Sequence, residues 1–316
     1  MSTNEIHASV LLVGNNLSWC LSPWFFHLEH QDYPLAQFEW IIVETNSSEE
    51  TRKTVASLSK GSPLIVRYIP HGGESMIQAW DLALHEAKGK WVLCSQPEVL
   101  PSNSWIQRHV QLQYAYEGKA CIGGALLLHP RLSSKSITPW FLPEDEPPSM
   151  EEITQITPSH FSLYNMSIPR DLILQSGTFN KSFYFPEFAE VELVKRLSQV
   201  GCKLHIDNQA LCWLWKGSSY LDMCRYHYRR GYSMGCYLRL FPNDYHIVVN
   251  YKLYFPYTTR IINALLIPYY HRFCLKLPED SKLLLRMYRR VFRYWRYRGF
   301  TDAIAKQEPQ IDIIYS

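Results

Sequence analysis

No Cys-x-x-Cys pair occurs in the chain, and its eight cysteines (Cys20, Cys94, Cys121, Cys202, Cys212, Cys224, Cys236 and Cys274) stand apart among mostly apolar neighbours. Such scatter argues against a zinc cage or a disulfide frame and implies small, reduced core residues in a cytosolic setting. There is also no uninterrupted run of about 18 apolar residues, so no membrane-spanning helix is expected. The opening stretch, MSTNEIHASVLLVGNN, has no basic leader and moves straight into a strand, so no secretory signal is expected. Internal repeats at solenoid spacing are missing. So are G-x-S-x-G, Walker, G-x-G-x-x-G and H-E-x-x-H motifs, which argues against the chemistries those loops serve.

Acidic residues are scarce in one region only. Between Gly217 and Lys306 there are 16 Lys and Arg against 5 Asp and Glu, while the rest of the chain holds 16 against 24. The net charge of +3 argues against bulk nucleic-acid binding, and no nucleic-acid reading motif is present. The asymmetry implies that the C-terminal third meets something anionic. With 316 residues and 47% apolar composition, the chain can build a large α/β domain plus an appendage.

Short apolar runs alternate with helical patterns. Strands are expected at Ala8–Val13, Phe38–Val43, Leu64–Ile69 and Trp91–Cys94. Helices are expected at Ser22–His30 with Pro23 in its first turn, at Glu49–Leu58 capped by Ser48, and over 75–87 with Gly89 as its stop. This order implies parallel βαβ units and a nucleotide-type fold whose turns share one sheet edge. Ligands bind beyond the carboxyl ends of strands in such sheets. Gly89–Pro101, GKWVLCSQPEVLP, delivers Glu98 to that edge, although a plain surface turn after a core strand reads the same way. Further on come a helix at Trp105–Tyr116, a Gly-Gly strand at Ala120–Leu128 and a long Pro- and acid-rich loop or lid over 133–158. A strand at Phe161–Ile168, short helix at Arg170–Gln175, helix at Ala189–Val200 and strand region at Lys203–Trp215 complete the domain.

The ordered pieces QDYP, FEWIIVETNSSEE, LALHEAKGKWVL, the acidic corner after the pivot strand, the Gly-Gly strand and AEVELVKRL resemble a family 2 glycosyltransferase over about residues 8–215. The resemblance implies a GT-A fold: α/β, a Rossmann-like mixed sheet flanked by helices, here in domain 1–216, followed by a basic, aromatic, helical C-terminal extension over 217–316. It also implies transfer of one sugar from a nucleotide-sugar donor to a hydroxyl of a glycan or lipid-linked acceptor, with inversion, as in polysaccharide biosynthesis. The processive-synthase signature Q-x-x-R-W is absent, in keeping with single-sugar transfer. An inactive relative serving as a binding or scaffold protein is the alternative, because several motif positions depart from the family.

Residue by residue, the resemblance places the donor nucleotide on Asn16, Glu44, Asn46, Gly73, Asp81 and Gln96. Glu44 stands where carboxylates hold base and ribose; a capping turn of Asn46, Ser47 and Ser48 is the other use of that stretch. Gln96-Pro97-Glu98 takes the place of the D-x-D motif that holds a divalent cation, Mg²⁺ or Mn²⁺, with Glu98 as the metal ligand. One carboxylate and one amide make a weaker cage than two aspartates. A histidine that follows the sheet in many relatives is replaced by Trp213 or Trp215, which points away from a metal. Glu190 matches the general base, with Glu187 in reserve; decoration of a helix N-terminus is the alternative use of Glu190.

In the C-terminal third, Asp222–Arg239 and Ser281–Arg298 are rich in Arg and Tyr. Leu284, Tyr288, Val291 and Trp295 recur at helical spacing among arginines. That pattern suits the headgroup layer of an anionic membrane and a peripheral position on its inner face; packing on the catalytic domain is the alternative. Arg229 or Arg230 is a further candidate for offsetting diphosphate charge.

Overall fold

The computed structural model describes residues 5–73, 75–132, 156–246, 257–276 and 282–311. The chain divides into two compact units. Among the described residues, the first holds 5–129, 156–181 and 190–216, and the second holds 130–132, 182–189 and the C-terminal part from 217 to 311. The expected lid at 133–158 lies mostly outside the described residues.

The first unit is one eight-stranded sheet in the order β3-β2-β1-β4-β7-β6-β8-β5. Its strands are β1 (Ala8–Asn15), β2 (Phe38–Thr45), β3 (Ile65–His71), β4 (Trp91–Ser95), β5 (Val99–Pro101), β6 (Ala120–Leu128), β7 (Asn165–Pro169) and β8 (Lys203–Leu214). The helices of this unit are α1 (Ser18–Glu29), α2 (Glu49–Ser59), α3 (Met76–Glu86), α4 (Trp105–Ala115), α5 (Arg170–Ser176) and α6 (Ala189–Gln199). Strands β1 to β4 are mutually parallel, and β7 runs antiparallel to both β4 and β6. The central strands β1 and β2 are buried on both faces, as their near-continuous apolar runs require. Pro70 falls within β3, where an edge position tolerates its missing N–H.

Several boundaries differ from the sequence pattern; the strand expected from Phe161, for one, starts only at Asn165. Helix α1 starts four residues before Ser22 and carries Pro23 in its interior. Its start is set by a tertiary bond, from the Leu17 amide to the Glu44 carboxylate. Strand β5, across from Val99 to Pro101, forms because β8 pairs with it antiparallel. The helix over 76–86 ends at Ala87, not at Gly89. Gly89 serves close approach instead: a Cβ there would lie 2.5 Å from the backbone of Ala8 and Ser9.

Two polar networks run through the sheet. Glu39 on β2 is fully buried and accepts from Ser9 Oγ (2.6 Å), the Lys88 amide (2.7 Å) and Arg67 Nη1 (3.2 Å). Around β7, Asn165 donates to the carbonyls of Ala125 and Ala210, while its Oδ1 accepts from Trp105 Nε1 and His109 Nε2. Gln113 donates to Ser167 Oγ, leaving the Ser167 hydroxyl to donate to His109 Nδ1. His109 is thus held neutral, and burial lowers its pKa from 6.5 to about 4. All eight cysteines are free and buried.

Among the described residues the second unit is mainly helical: α7 (Tyr220–Leu240), α8 (Tyr257–Lys276) and α9 (Lys282–Ile304). Helices α7 and α9 cross where glycines allow backbone contact. A Cβ on Gly231 would lie 1.9 Å from the Arg296 carbonyl, and one on Gly299 would lie 2.1 Å from that of Tyr228. The expected lipid-facing row on α9 is therefore corrected: Leu284, Tyr288, Val291 and Trp295 are all buried, with Tyr288 packed on Tyr220 and Phe292. Arg229 pairs with Glu187 at 2.7 Å, and Arg230 is buried against the Phe188 ring. Among the described residues no helix is long and apolar enough to cross a membrane.

A buried neutral histidine makes stability fall with acid. The folded pKa of His109 lies below its unfolded value, so its contribution is complete above pH 6.5 and is lost as pH falls from 6.5 towards 4. The expected loss is about 3 kcal/mol. Urea unfolding of wild type and His109→Gln between pH 7.5 and 4 checks this: the pH-dependence should be shallower in the variant, and identical profiles would contradict it.

Candidate active site

Strand register brings the carboxyl ends of four parallel strands level. Gly14 lies beside Glu44, Asn15 beside Thr45, Thr45 beside His71 and Leu12 beside Ser95. Asn16, Glu44, Asn46, Gly73, Gln96 and Glu98 consequently share one edge of the sheet. Chain direction reverses sharply there: Asn16 and Asn46 adopt φ of 51° and 50°, a left-handed conformation that Asn tolerates better than most residues. Both are exposed, as is Ser47.

Glu44 is different. Its side chain is fully buried and its two oxygens take four donors: the Leu17 amide (2.8 Å) and Thr51 Oγ1 (2.7 Å) on Oε1, and the Ser48 amide (2.9 Å) and Tyr68 hydroxyl (2.8 Å) on Oε2. The carboxylate thereby ties the starts of α1 and α2 to the sheet. Sequence reasoning missed Thr51 and Tyr68 because neither carries a motif; only the fold brings them to Glu44. Gly73 lies half-buried beyond β3, where a Cβ would meet His71 Nε2 at 3.0 Å. Asp81 sits inside α3 rather than at its start; its carboxylate accepts from Thr178 Oγ1 and lies 3.6 Å from His85. Neighbouring Trp80 is wholly buried against Phe179.

At the corner after β4, Ser95 Oγ donates to the Tyr164 carbonyl at 2.9 Å. Gln96 and Glu98 are partly exposed, and Pro97 is buried against Gly14, whose added Cβ would come 3.0 Å from the proline ring. Of the two tryptophans at the position of the missing histidine, Trp215 is the one that meets the corner. Its amide donates to the Glu98 carbonyl at 3.0 Å and its indole N–H to the Pro97 carbonyl at 3.4 Å. Trp213 instead lies near the His129 ring. Sequence reasoning also missed Trp19, which packs on Trp215 with centroids 5.6 Å apart, and Lys216, whose Nζ is 3.4 Å from the Trp19 ring centroid.

Without a donor's phosphates to add oxygens, those residues make a poor cage for a divalent cation. The corner offers one carboxylate and one amide, with an indole where the resemblance implies imidazole. Among the described residues no three His, Cys, Asp or Glu side chains are grouped to hold an ion. A hard cation takes six or more oxygen ligands, and this set leaves nearly all of them to water or substrate.

Glu190 occupies the first turn of α6 and is 3% exposed. The helix leads into β8 at the edge where Lys203 pairs with Ala120, and β8 is parallel to β6. Eleven residues of helix span about 16 Å, so the start of α6 is set back from that amino edge. Glu192, also buried, pairs with Arg196 through two 3.0 Å bonds. Arg196 in turn donates to the carbonyls of Ser176, Gly177 and Thr178, which fixes the loop that holds Asp81. Phe188, two residues before Glu190, is a buried aromatic at φ 78°, a conformation costing on the order of 1–3 kcal/mol.

A carboxylate with four protein donors acts as an anchor. Glu44→Gln places an amide N–H against donors and should destabilise the unliganded protein by about 2–4 kcal/mol. Chemical denaturation without ligand checks this. Unchanged stability would contradict the anchoring role.

Residues 26–131 match the family model described as glycosyl transferase family 2. No curated protein sequence matches the chain. Among solved structures, it is similar to the mannosyltransferase PcManGT from Pyrobaculum calidifontis, in complex with GDP-Man and Mn²⁺, at 15% identity and a TM-score of 0.55, over 96% of this chain and 75% of that one. It is similar to S. aureus TarS 1–349 in complex with UDP at 13% identity and a TM-score of 0.55, over 96% of this chain and 93% of that one. The same protein with UDP-GlcNAc gives 13% identity and a TM-score of 0.54 over the same shares. Residues 26–131 thus carry the signature of glycosyl transferase family 2, and the sheet and helices have the GT-A fold of these solved structures.

Proposed function

We propose that the protein transfers a single sugar from a nucleotide-sugar donor to a hydroxyl acceptor, with inversion. The observation that carries this reading is the shared edge: the ends of β1, β2 and β4 converge on exposed Asn16 and Asn46 and partly exposed Gln96, while Glu44 holds the loops rigid beneath them. The neighbours' nucleotide and nucleotide-sugar ligands support a donor at this edge. Asn16, Asn46, Gly73 and Gln96 are assigned to the nucleotide; Glu44 and Asp81 act on it through the loops they anchor.

Glu190 is assigned as general base. Its carboxylate takes the proton of the acceptor hydroxyl as that oxygen bonds to the anomeric carbon from the face opposite the leaving group. The bond from that carbon to the diphosphate oxygen breaks, and its electron pair departs with the nucleoside diphosphate. Burial of Glu190 keeps competing water from the carboxylate.

The acceptor is assigned to a lipid-linked or membrane-bound glycan, on a surface other than α9. Helix α8 turns Ile267 and Cys274 inward and leaves Leu265, Tyr269 and Phe273 exposed, with Arg272 and Lys276 beside them. Exposed apolar side chains among cations suit an anionic headgroup layer.

Two measurements test these assignments. Glu190→Gln should lower kcat by about 100-fold or more with donor binding within about threefold of wild type; turnover at the wild-type rate would remove Glu190 from the mechanism, and a wild-type protein that binds nucleotide without turnover would be a binding protein. Leu265→Ser with Tyr269→Ser and Phe273→Ser should release the protein from phosphatidylglycerol vesicles in co-sedimentation, and equal binding by both forms would refute the α8 surface.

A further inference from the structure

The corner after β4 carries a seated cation, Lys216, where the resemblance implies a carboxylate cage. Lys216 directly follows the Trp215 backbone that bonds Glu98, and its own amide lies 3.5 Å from the same Glu98 carbonyl. Its ammonium rests on the face of Trp19, in the first turn of α1 just beyond the exposed Asn15-Asn16 turn. Trp19 is steadied in turn by Trp215. A lysine chain is ordinarily mobile, and an aromatic face within about 6 Å gives it a preferred place. Burial raises the Cys20 thiol pKa; Glu98 raises it further and Lys216 lowers it, so both charges act on the first turn of α1.

We propose that the diphosphate of the donor is held at this corner by the Lys216 ammonium, without a divalent cation. The inference rests on the donor-site reading above and specifies its electrostatics. When the bond to the sugar breaks, a further negative charge develops on the terminal phosphate oxygen, and a positioned ammonium offsets it as a point charge. Trp19 and Trp215 supply the low-dielectric wall that strengthens the attraction. Glu98 then has no metal to bind. It is an anion beside an anionic ligand, and its net effect on nucleotide affinity is unfavourable.

That last point separates the proposal from metal binding by sign. Isothermal titration of full-length protein with UDP and GDP, each in EDTA and in MnCl₂, reads it directly, together with Lys216→Gln, Lys216→Arg and Glu98→Gln. Affinity for the nucleotide that binds should agree within about threefold between EDTA and MnCl₂. Lys216→Gln should weaken it about tenfold or more, Lys216→Arg should recover most of the loss, and Glu98→Gln should leave it equal or tighter. Binding that requires MnCl₂ and is weakened by Glu98→Gln, or binding indifferent to Lys216→Gln, would overturn the inference while leaving the donor site standing. Failure of both nucleotides to bind under either condition would overturn the donor-site reading as well. Unchanged thermal melting of the unliganded variants confirms that they fold.

Discussion

The carboxylate of Glu44 is the constraint on which the rest of the edge depends. A buried charge is tolerated only when its lone pairs are filled, and four donors fill them here. Two of the donors are backbone amides at the entries to α1 and α2, so satisfying the charge fixes where both helices begin. The left-handed turns at Asn16 and Asn46 then come from chain connectivity, and their side chains are left at the solvent face of the edge. Glu39 does comparable work at the other end of β2, where it gathers Ser9, Lys88 and Arg67. One strand therefore carries two buried carboxylates, and both hold neighbouring segments in place.

In the proposed reading, the corner after β4 keeps the geometry of such a sheet while changing its chemistry. Gly14 and Pro97 bring the turns after β1 and β4 into contact. Trp215 closes the corner through its amide and its indole N–H, and Trp19 and Lys216 complete a cluster of two indoles and one ammonium. A cation held on an aromatic face needs no coordination sphere and no dehydration of a metal ion. It also gives a weaker local field than a divalent ion would, which sets a different balance between binding the diphosphate and releasing it.

Much of the fold was legible because the local signals agreed with the tertiary result. Apolar runs with polar turns marked β1, β2, β3 and β4, and Ser48 and Ser75 cap α2 and α3 through the backbone amides of Thr51 and Gln78. The misreadings have physical causes. Pro23 suggested a helix start, but the Glu44 bond to Leu17 begins α1 earlier and the proline is carried inside. Strand β5 is three residues long and exists only through its pairing with β8. The apolar stripe of α9 looked like a lipid-facing surface because nothing in its own sequence reveals the glycine-lined face of α7 that it covers. At the sheet edge, the placement of Asn16, Asn46, Gln96 and Glu98 in the turns after the strands was readable. The employment of Glu44 by Thr51 and Tyr68, and the seating of Lys216 on Trp19, were not, because those partners lie far apart in the chain.

The central claim is that a nucleotide-sugar lies along the carboxyl ends of β1, β2 and β4. Amide hydrogen exchange on the full chain, with and without UDP-GlcNAc or GDP-mannose, tests it most directly. Slowed exchange is expected in the turns 14–18, 45–48, 72–73 and 95–98 and at 215–216, with the amino edge around Lys88–Lys90 unaffected. Protection confined to the amino edge or to α7–α9, or no protection with either donor, would contradict it.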